Sequence, residues 1–168
     1  MVDQPGDPVI QYVATDSTAQ WITYRYRYGS GDLFVQPVTA RNSTDVKRIA
    51  KAEAPRDSSD RSEFESAAIS PGGRWVASWT RYGPRTAVQG VVPVFATQGE
   101  RKLQLVVPGR RVHQVLFASD DLVIVLSDSG EKAAPLHVGL YEVASARMLD
   151  RLLIDGVVSV HGAAVSAS

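Results

Sequence analysis

The feature that most constrains this chain is its punctuation. Short runs rich in Val, Ile, Tyr, Phe, Trp and Thr recur about every ten residues, and each is broken by Gly, Pro, Asp or Ser. That is the signature of many short strands joined by tight turns. Helical spacing, with apolar residues at i, i+3, i+4 and i+7, is nearly absent. The segment from Val46 to Ala54 comes closest and runs into Pro55. At 168 residues the chain has one domain's worth of length, enough to bury a core without metal or disulfide.

The expected strands fall into sets of four. Val9 to Ala14, Gln20 to Tyr28, Leu33 to Thr39 and Val46 to Ala50 make the first. Phe64 to Ile69, Arg74 to Arg81, Gly90 to Thr97 and Lys102 to Val107 make the second. Val112 to Ala118, Leu122 to Ser127, His137 to Ala144 and Met148 to Ile154 make the third. Val157 to Val165 reads as one extra strand that begins a further set. The sets lie over one another. Trp21-Ile22-Thr23-Tyr24 matches Trp75-Val76-Ala77-Ser78, and Val123-Ile124-Val125-Leu126 fills the same slot. Gly29, Gly83 and Gly130 each close a second strand. The expected fold is therefore all-β in a single domain, with repeats at about 9–50, 64–107 and 112–154 and the start of another at 157–165. A period of about 50 residues with four strands suits one blade of a β-propeller.

Two segments sharpen this. Ile69-Ser70-Pro71-Gly72-Gly73-Arg74-Trp75-Val76-Ala77 resembles the S-P-D-G-K-W-[IV]-A corner of TolB-like and WD40-like propellers, with Gly72 where that corner has Asp. Leu140 to Leu149 resembles their third strand, turn and fourth strand. The resemblance implies three four-stranded antiparallel blades plus one extra strand. Pro71-Gly72-Gly73 supplies the turn. Ala67-Ala68 and Ala163-Ala164 fit crowded inner strands. Trp21, Trp75, Trp79, Phe34 and Tyr141 are the large side chains expected to pack blade on blade. Three blades do not close a ring, since propellers close with about four to eight. The expected partners are thus missing blades, a protein that covers the ends, or a second copy forming a homodimer.

Charge and composition exclude several classes. Lys+Arg and Asp+Glu both number 18, so the basic surplus of a nucleic-acid binder is absent. With no cysteine, disulfide scaffolds, thiolate zinc sites and cysteine nucleophiles are excluded. The opening Met1-Val2-Asp3-Gln4-Pro5-Gly6 lacks the basic and apolar regions of a signal peptide. No apolar run approaches the ~20 residues of a membrane span, so no membrane insertion by this chain is expected, and the compartment stays open. Fourteen arginines against four lysines point to a GC-rich bacterial genome.

No catalytic motif is present: neither G-x-S-x-G, H-E-x-x-H, P-loop nor G-x-G-x-x-G occurs as a usable signal. His113 and His161 fall near the same repeat position, but paired strand histidines are more often satisfied core residues than metal ligands. Asp57, Asp60, Asp120, Asp121 and Asp128 read as turn residues, and no calcium-loop pattern joins them. No catalytic residue, metal or cofactor is expected. The residues singled out for partner contact are Tyr24, Arg25, Tyr26 and Arg27, where alternation separates aromatic from basic side chains. Arg56 and Asp57 in the long polar loop join them, as do Arg110 and Arg111 between the second and third repeats, where a solvated turn is the plainer reading. The expected function is a non-catalytic protein–protein interaction scaffold. The alternatives are the propeller portion of a prolyl-oligopeptidase-like hydrolase or the ligand-sensing domain of a bacterial receptor.

Overall fold

The computed structural model describes residues 10–15, 21–26, 32–39, 46–50, 66–79, 89–109 and 111–156, with the backbone alone for 10–15 and 21–26. The described residues are all-β, and none of their segments is a helix. No helix among them is long and apolar enough to cross a membrane. The extra strand expected at Val157 to Val165 lies outside the described residues, as does the polar loop after Ala50.

Twelve strands are described: β1 (Ile10–Thr15), β2 (Trp21–Tyr26), β3 (Leu33–Pro37), β4 (Lys47–Ala50), β5 (Ser66–Ile69), β6 (Trp75–Trp79), β7 (Gln89–Ala96), β8 (Lys102–Pro108), β9 (Arg111–Phe117), β10 (Leu122–Asp128), β11 (Leu136–Glu142) and β12 (Arg147–Ile154). They form three four-stranded sheets, each in simple sequence order: β1-β2-β3-β4, β5-β6-β7-β8 and β9-β10-β11-β12. Neighbouring strands pair antiparallel throughout. The first strands of the sheets are neighbours, with β5 lying against both β1 and β9. The Ala67-Ala68 pair sits on β5, where the small side chains allow that approach.

The second sheet is packed on both faces. All five residues of β6 are buried. Alternation along the strand sends Trp75, Ala77 and Trp79 into one core with Val92, Val94, Leu105 and Val107 of the same sheet. That core is completed from the third sheet by Val112, Val115, Val123, Val125 and Tyr141. Val76 points the other way and joins Ile69 and Phe95 against Leu33 and Val35 of the first sheet. Each fully buried Val or Leu stabilises the stack by about 1.5–3 kcal/mol relative to exposure. Trp75, Trp79 and Tyr141 therefore pack sheet on sheet. Phe34 does not join this contact: it alternates to the face turned from the second sheet, and Leu33 and Val35 make the contact instead.

The turns repeat as well. Ser70 Oγ accepts the N–H groups of Arg74 and Trp75, both at 3.1 Å. Ser119 Oγ accepts those of Asp121 and Leu122, also at 3.1 Å. Trp75 and Leu122 thus hold equivalent places. This moves the repeat alignment of the third set by one residue: Leu122, not Val123, stands at the Trp75 position. Val123 belongs with Val76, since each faces the preceding sheet. With a period of two, a one-residue slip exchanges the faces, and a run of consecutive aliphatics hides the slip.

Gly72 stands where the resembled corner has Asp, and a carboxylate from the neighbouring sheet's turn lies against it. The Gly72 N–H donates to Asp120 Oδ1 at 2.9 Å, and a Cβ at position 72 would collide with that carboxylate. Other polar ties join adjacent sheets. Lys47 Nζ donates to the Thr97 carbonyl at 2.6 Å, and Arg101 Nη2 to the Ala144 carbonyl at 2.7 Å. Arg101 also lies over the Trp75 ring, 5.7 Å from its centroid.

Tyr141 is the largest fully buried side chain in the described core, and its hydroxyl has no hydrogen-bond partner there. Burial pushes its pKa up to about 12, against the opposing pull of the Arg151 charge. A buried hydroxyl without a partner costs about 1–3 kcal/mol. Tyr141→Phe is therefore expected to leave stability unchanged or to raise it by about 1 kcal/mol in urea unfolding. A loss of more than 1 kcal/mol would mean that the hydroxyl has a partner.

Candidate functional site

Two features of the third sheet stand out, one polar and one apolar. The polar one begins with backbone pairing. Arg111 opens β9 and Asp128 closes β10, and the two are cross-strand partners. Their side chains meet in a forked ion pair: Arg111 Nε lies 2.8 Å from Asp128 Oδ1, and Arg111 Nη2 bonds Oδ2. His113, two residues along the same strand, bonds Asp128 Oδ2 through Nε2 at 2.7 Å. The Gly130 N–H donates to Oδ1 at 2.6 Å. Asp128 and His113 are both buried, at 7% and 6% side-chain exposure, and Arg111 is largely covered.

This carboxylate is saturated. Burial pushes the Asp128 pKa up, but the hydrogen bonds from Arg111, His113 and Gly130 and the Arg111 charge outweigh it and hold the group below its ordinary 3.8. The backbone supports the cluster from the neighbouring sheet. Ser127 Oγ donates to the Pro108 carbonyl at 2.5 Å. Gly109, at φ 75°, passes so close to the Asp128 carbonyl that a Cβ there would overlap it. The crossing from β8 into β9 is thereby fixed by glycine's left-handed conformation.

Chemically, the cluster is a clasp. A histidine oriented by a carboxylate can serve as a base when its other face meets a nucleophile. Here His113 Nε2 is spent on Asp128, and the nearby hydroxyl of Ser127 is spent on Pro108. Among the described residues, no three His, Asp or Glu groups converge as a metal set would require. His137 lies half-buried on β11, with its Nδ1 buried and without a hydrogen-bond partner. Burial first, and then the Arg151 charge, push its pKa down, while Asp128 pulls it up.

The sequence candidates scatter. Arg111 belongs to the clasp and is tied to Asp128, rather than solvated in a turn. Tyr24, Arg25 and Tyr26 lie on β2, with Tyr24 paired to Phe34 and Arg25 to Leu33. Arg27, Arg56, Asp57, Arg110 and His161 lie outside the described residues. Asp128 closes a strand and opens a turn, and its role as the centre of an ion cluster carries no local motif. The one legible signal was Arg-x-His preceding a strand-end Asp at hairpin distance.

The apolar feature is the face of the third sheet turned away from the second. Pairing of β7 with β8 sets Val92 opposite Leu105 and Gly90 opposite Val107. Pairing of β11 with β12 sets Val138 opposite Leu152 and Leu136 opposite Ile154. Leu152 and Ile154 therefore occupy the places of Leu105 and Val107. In the second sheet those two residues are 0% and 1% exposed, sealed by the third sheet. In the third sheet their counterparts are 59% and 39% exposed. Leu126, the counterpart of Trp79, is buried, as is Leu136, so the opening lies at the outer strands.

No family model matches the chain, and no curated protein sequence matches it. Solved structures do. The β-propeller domain of the Trilobed protease from Pyrococcus furiosus, described as having an open velcro topology, superposes with a TM-score of 0.59 at 9% identity, over 89% of this chain and 43% of that one. The fold is propeller-like. A eukaryotic initiation factor matches with a TM-score of 0.56 at 12% identity, over 92% of this chain and 34% of its own. Kuenenia stuttgartiensis hydrazine synthase matches with a TM-score of 0.54 at 12% identity, over 85% and 36%. The chain thus spans less than half the length of each of these structures.

The clasp makes a pH prediction. A carboxyl with a lowered folded pKa contributes stability that is fully present well above pH 3.8 and is lost as pH falls through the folded value. Asp128→Asn is expected to cost about 2 kcal/mol at neutral pH, the worth of hydrogen bonds to a charged group. The variant should also lose less stability than the parent between pH 5 and about pH 3 in urea melts. An unchanged acid dependence would show that Asp128 does not anchor this corner.

Proposed function

We propose that this chain is a non-catalytic propeller module, of the TolB-like or WD40-like type, that works by binding protein. The observation that carries this reading is the outer half of the third sheet. It presents aliphatic side chains at the places that seal a sheet-to-sheet contact elsewhere in the same molecule. Exposed apolar patches of this kind mark interaction surfaces. The described polar cluster supports the same reading, because its carboxylate, imidazole and guanidinium hold one another.

A second reading makes the chain the propeller portion of a larger hydrolase of the prolyl-oligopeptidase kind. The likeness to the propeller domain of a protease favours it, at the level of fold. The two are separated by the gene: a G-x-S-x-G segment continuing in the same reading frame belongs to the enzyme reading. The receptor sensor would instead be joined to a membrane-spanning helix.

A photo-crosslinking side chain placed at Leu152 tests the binding reading directly in the producing cell. One discrete protein adduct is expected at Leu152 and none at the exposed Lys132, which lies in the turn before β11. Equal, diffuse labelling at both positions would overturn the assignment.

A further inference from the structure

We infer that the occupant of the open third-sheet face is the first sheet of a second copy of this chain, docked head to tail. The inference rests on the binding reading above and names the partner. Within the molecule each contact joins the forward face of one sheet to the backward face of the next. The third sheet has an unsealed forward face at Leu152 and Ile154. The first sheet has the corresponding backward face, where Phe34 and Gln36 alternate away from the second sheet. The two ends are the complementary halves of the contact already made twice.

The geometry of that contact carries over strand by strand. β8 of the second sheet lies against β10 and β11 of the third. By position, β12 corresponds to β8, and β2 and β3 correspond to β10 and β11. So β12 of one copy is placed against β2 and β3 of the other, and β2 is the strand that carries Tyr24 and Tyr26.

Ring closure selects the number of copies. A heterologous contact repeats until its rotation closes. Each copy contributes three described sheets. Propeller rings close with about four to eight blades. Two copies bring six described sheets together, a count within that range, with both contacts satisfied.

Light scattering on the 168-residue chain over a wide concentration range is the first test. A mass twice the 18.2 kDa of the chain is expected, without further growth. A monomer at every concentration, or open-ended growth, overturns the proposal. If the chain is monomeric yet Leu152 still crosslinks one different protein in cells, the binding reading stands and this inference falls; if both fail, both fall. The second test uses the absence of cysteine. Leu152→Cys and Gln36→Cys chains are mixed and treated with a short bis-maleimide. The mixture should crosslink at least tenfold more than either variant alone. Equal crosslinking of Leu152→Cys with itself would show a two-fold face-to-face pairing and overturn the head-to-tail arrangement. Leu152→Glu combined with Ile154→Lys should abolish the dimer while the circular dichroism spectrum is retained, and a dimer that survives places the contact elsewhere.

Discussion

The rest of the structure depends on the burial of β6 and its neighbours from both sides. A single four-stranded sheet has two apolar faces here and cannot shield either alone. Trp75, Ala77 and Trp79 are covered by the third sheet, and Val76 and Phe95 by the first. Folding is therefore cooperative between sheets, as in other repeat architectures, where each unit is stabilised mainly by contacts with its neighbours. Several polar ties between the described sheets accompany this packing. The Gly72–Asp120 bond, the Arg101 bridge to Ala144 and the Lys47 bond to Thr97 all lie between surfaces that the apolar side chains have already brought together.

The same constraint explains how much could be read from the residues. Strand-forming runs and their turns are local properties, so the all-β class and the four-strand sets were legible before any coordinates. Ser70 and Pro71 marked a turn, and the turn is there. The facing of the third set was harder. Leu122-Val123-Ile124-Val125-Leu126 is apolar at every position, so alternation gave no phase. Only the Ser119 hydrogen bonds and the packing of Val123 set it. Phe34 shows the same dependence on phase: its parity turns it away from the second sheet, and Leu33 and Val35 make that contact.

The polar cluster was nearly invisible in sequence because its members are close only through strand pairing. Arg111 and His113 stand 17 and 15 residues from Asp128, and the β9–β10 register brings them together. Arg-Arg in a linker looks solvated, and Asp before Ser-Gly looks like a turn former. Both local readings are physically reasonable, and both omit the cross-strand neighbour. The cluster has the residue types of a catalytic site, but its hydrogen bonds are directed inward. It fixes the end of the β9–β10 hairpin beside Gly109, where the chain passes from one sheet to the next. The surface that the stack leaves unsealed lies apart from it, at β12.

Hydrogen–deuterium exchange resolved by peptide tests the central claim most directly. If the second sheet is held by burial on both faces, amides of β6 and β7 should be the slowest in the molecule, opening only with global unfolding. The first and third sheets should exchange faster, by sub-global opening. Slowest exchange in β2 and β3, or protection in β9 and β10 that survives when β6 and β7 have exchanged, would contradict a fold that depends on its central sheet.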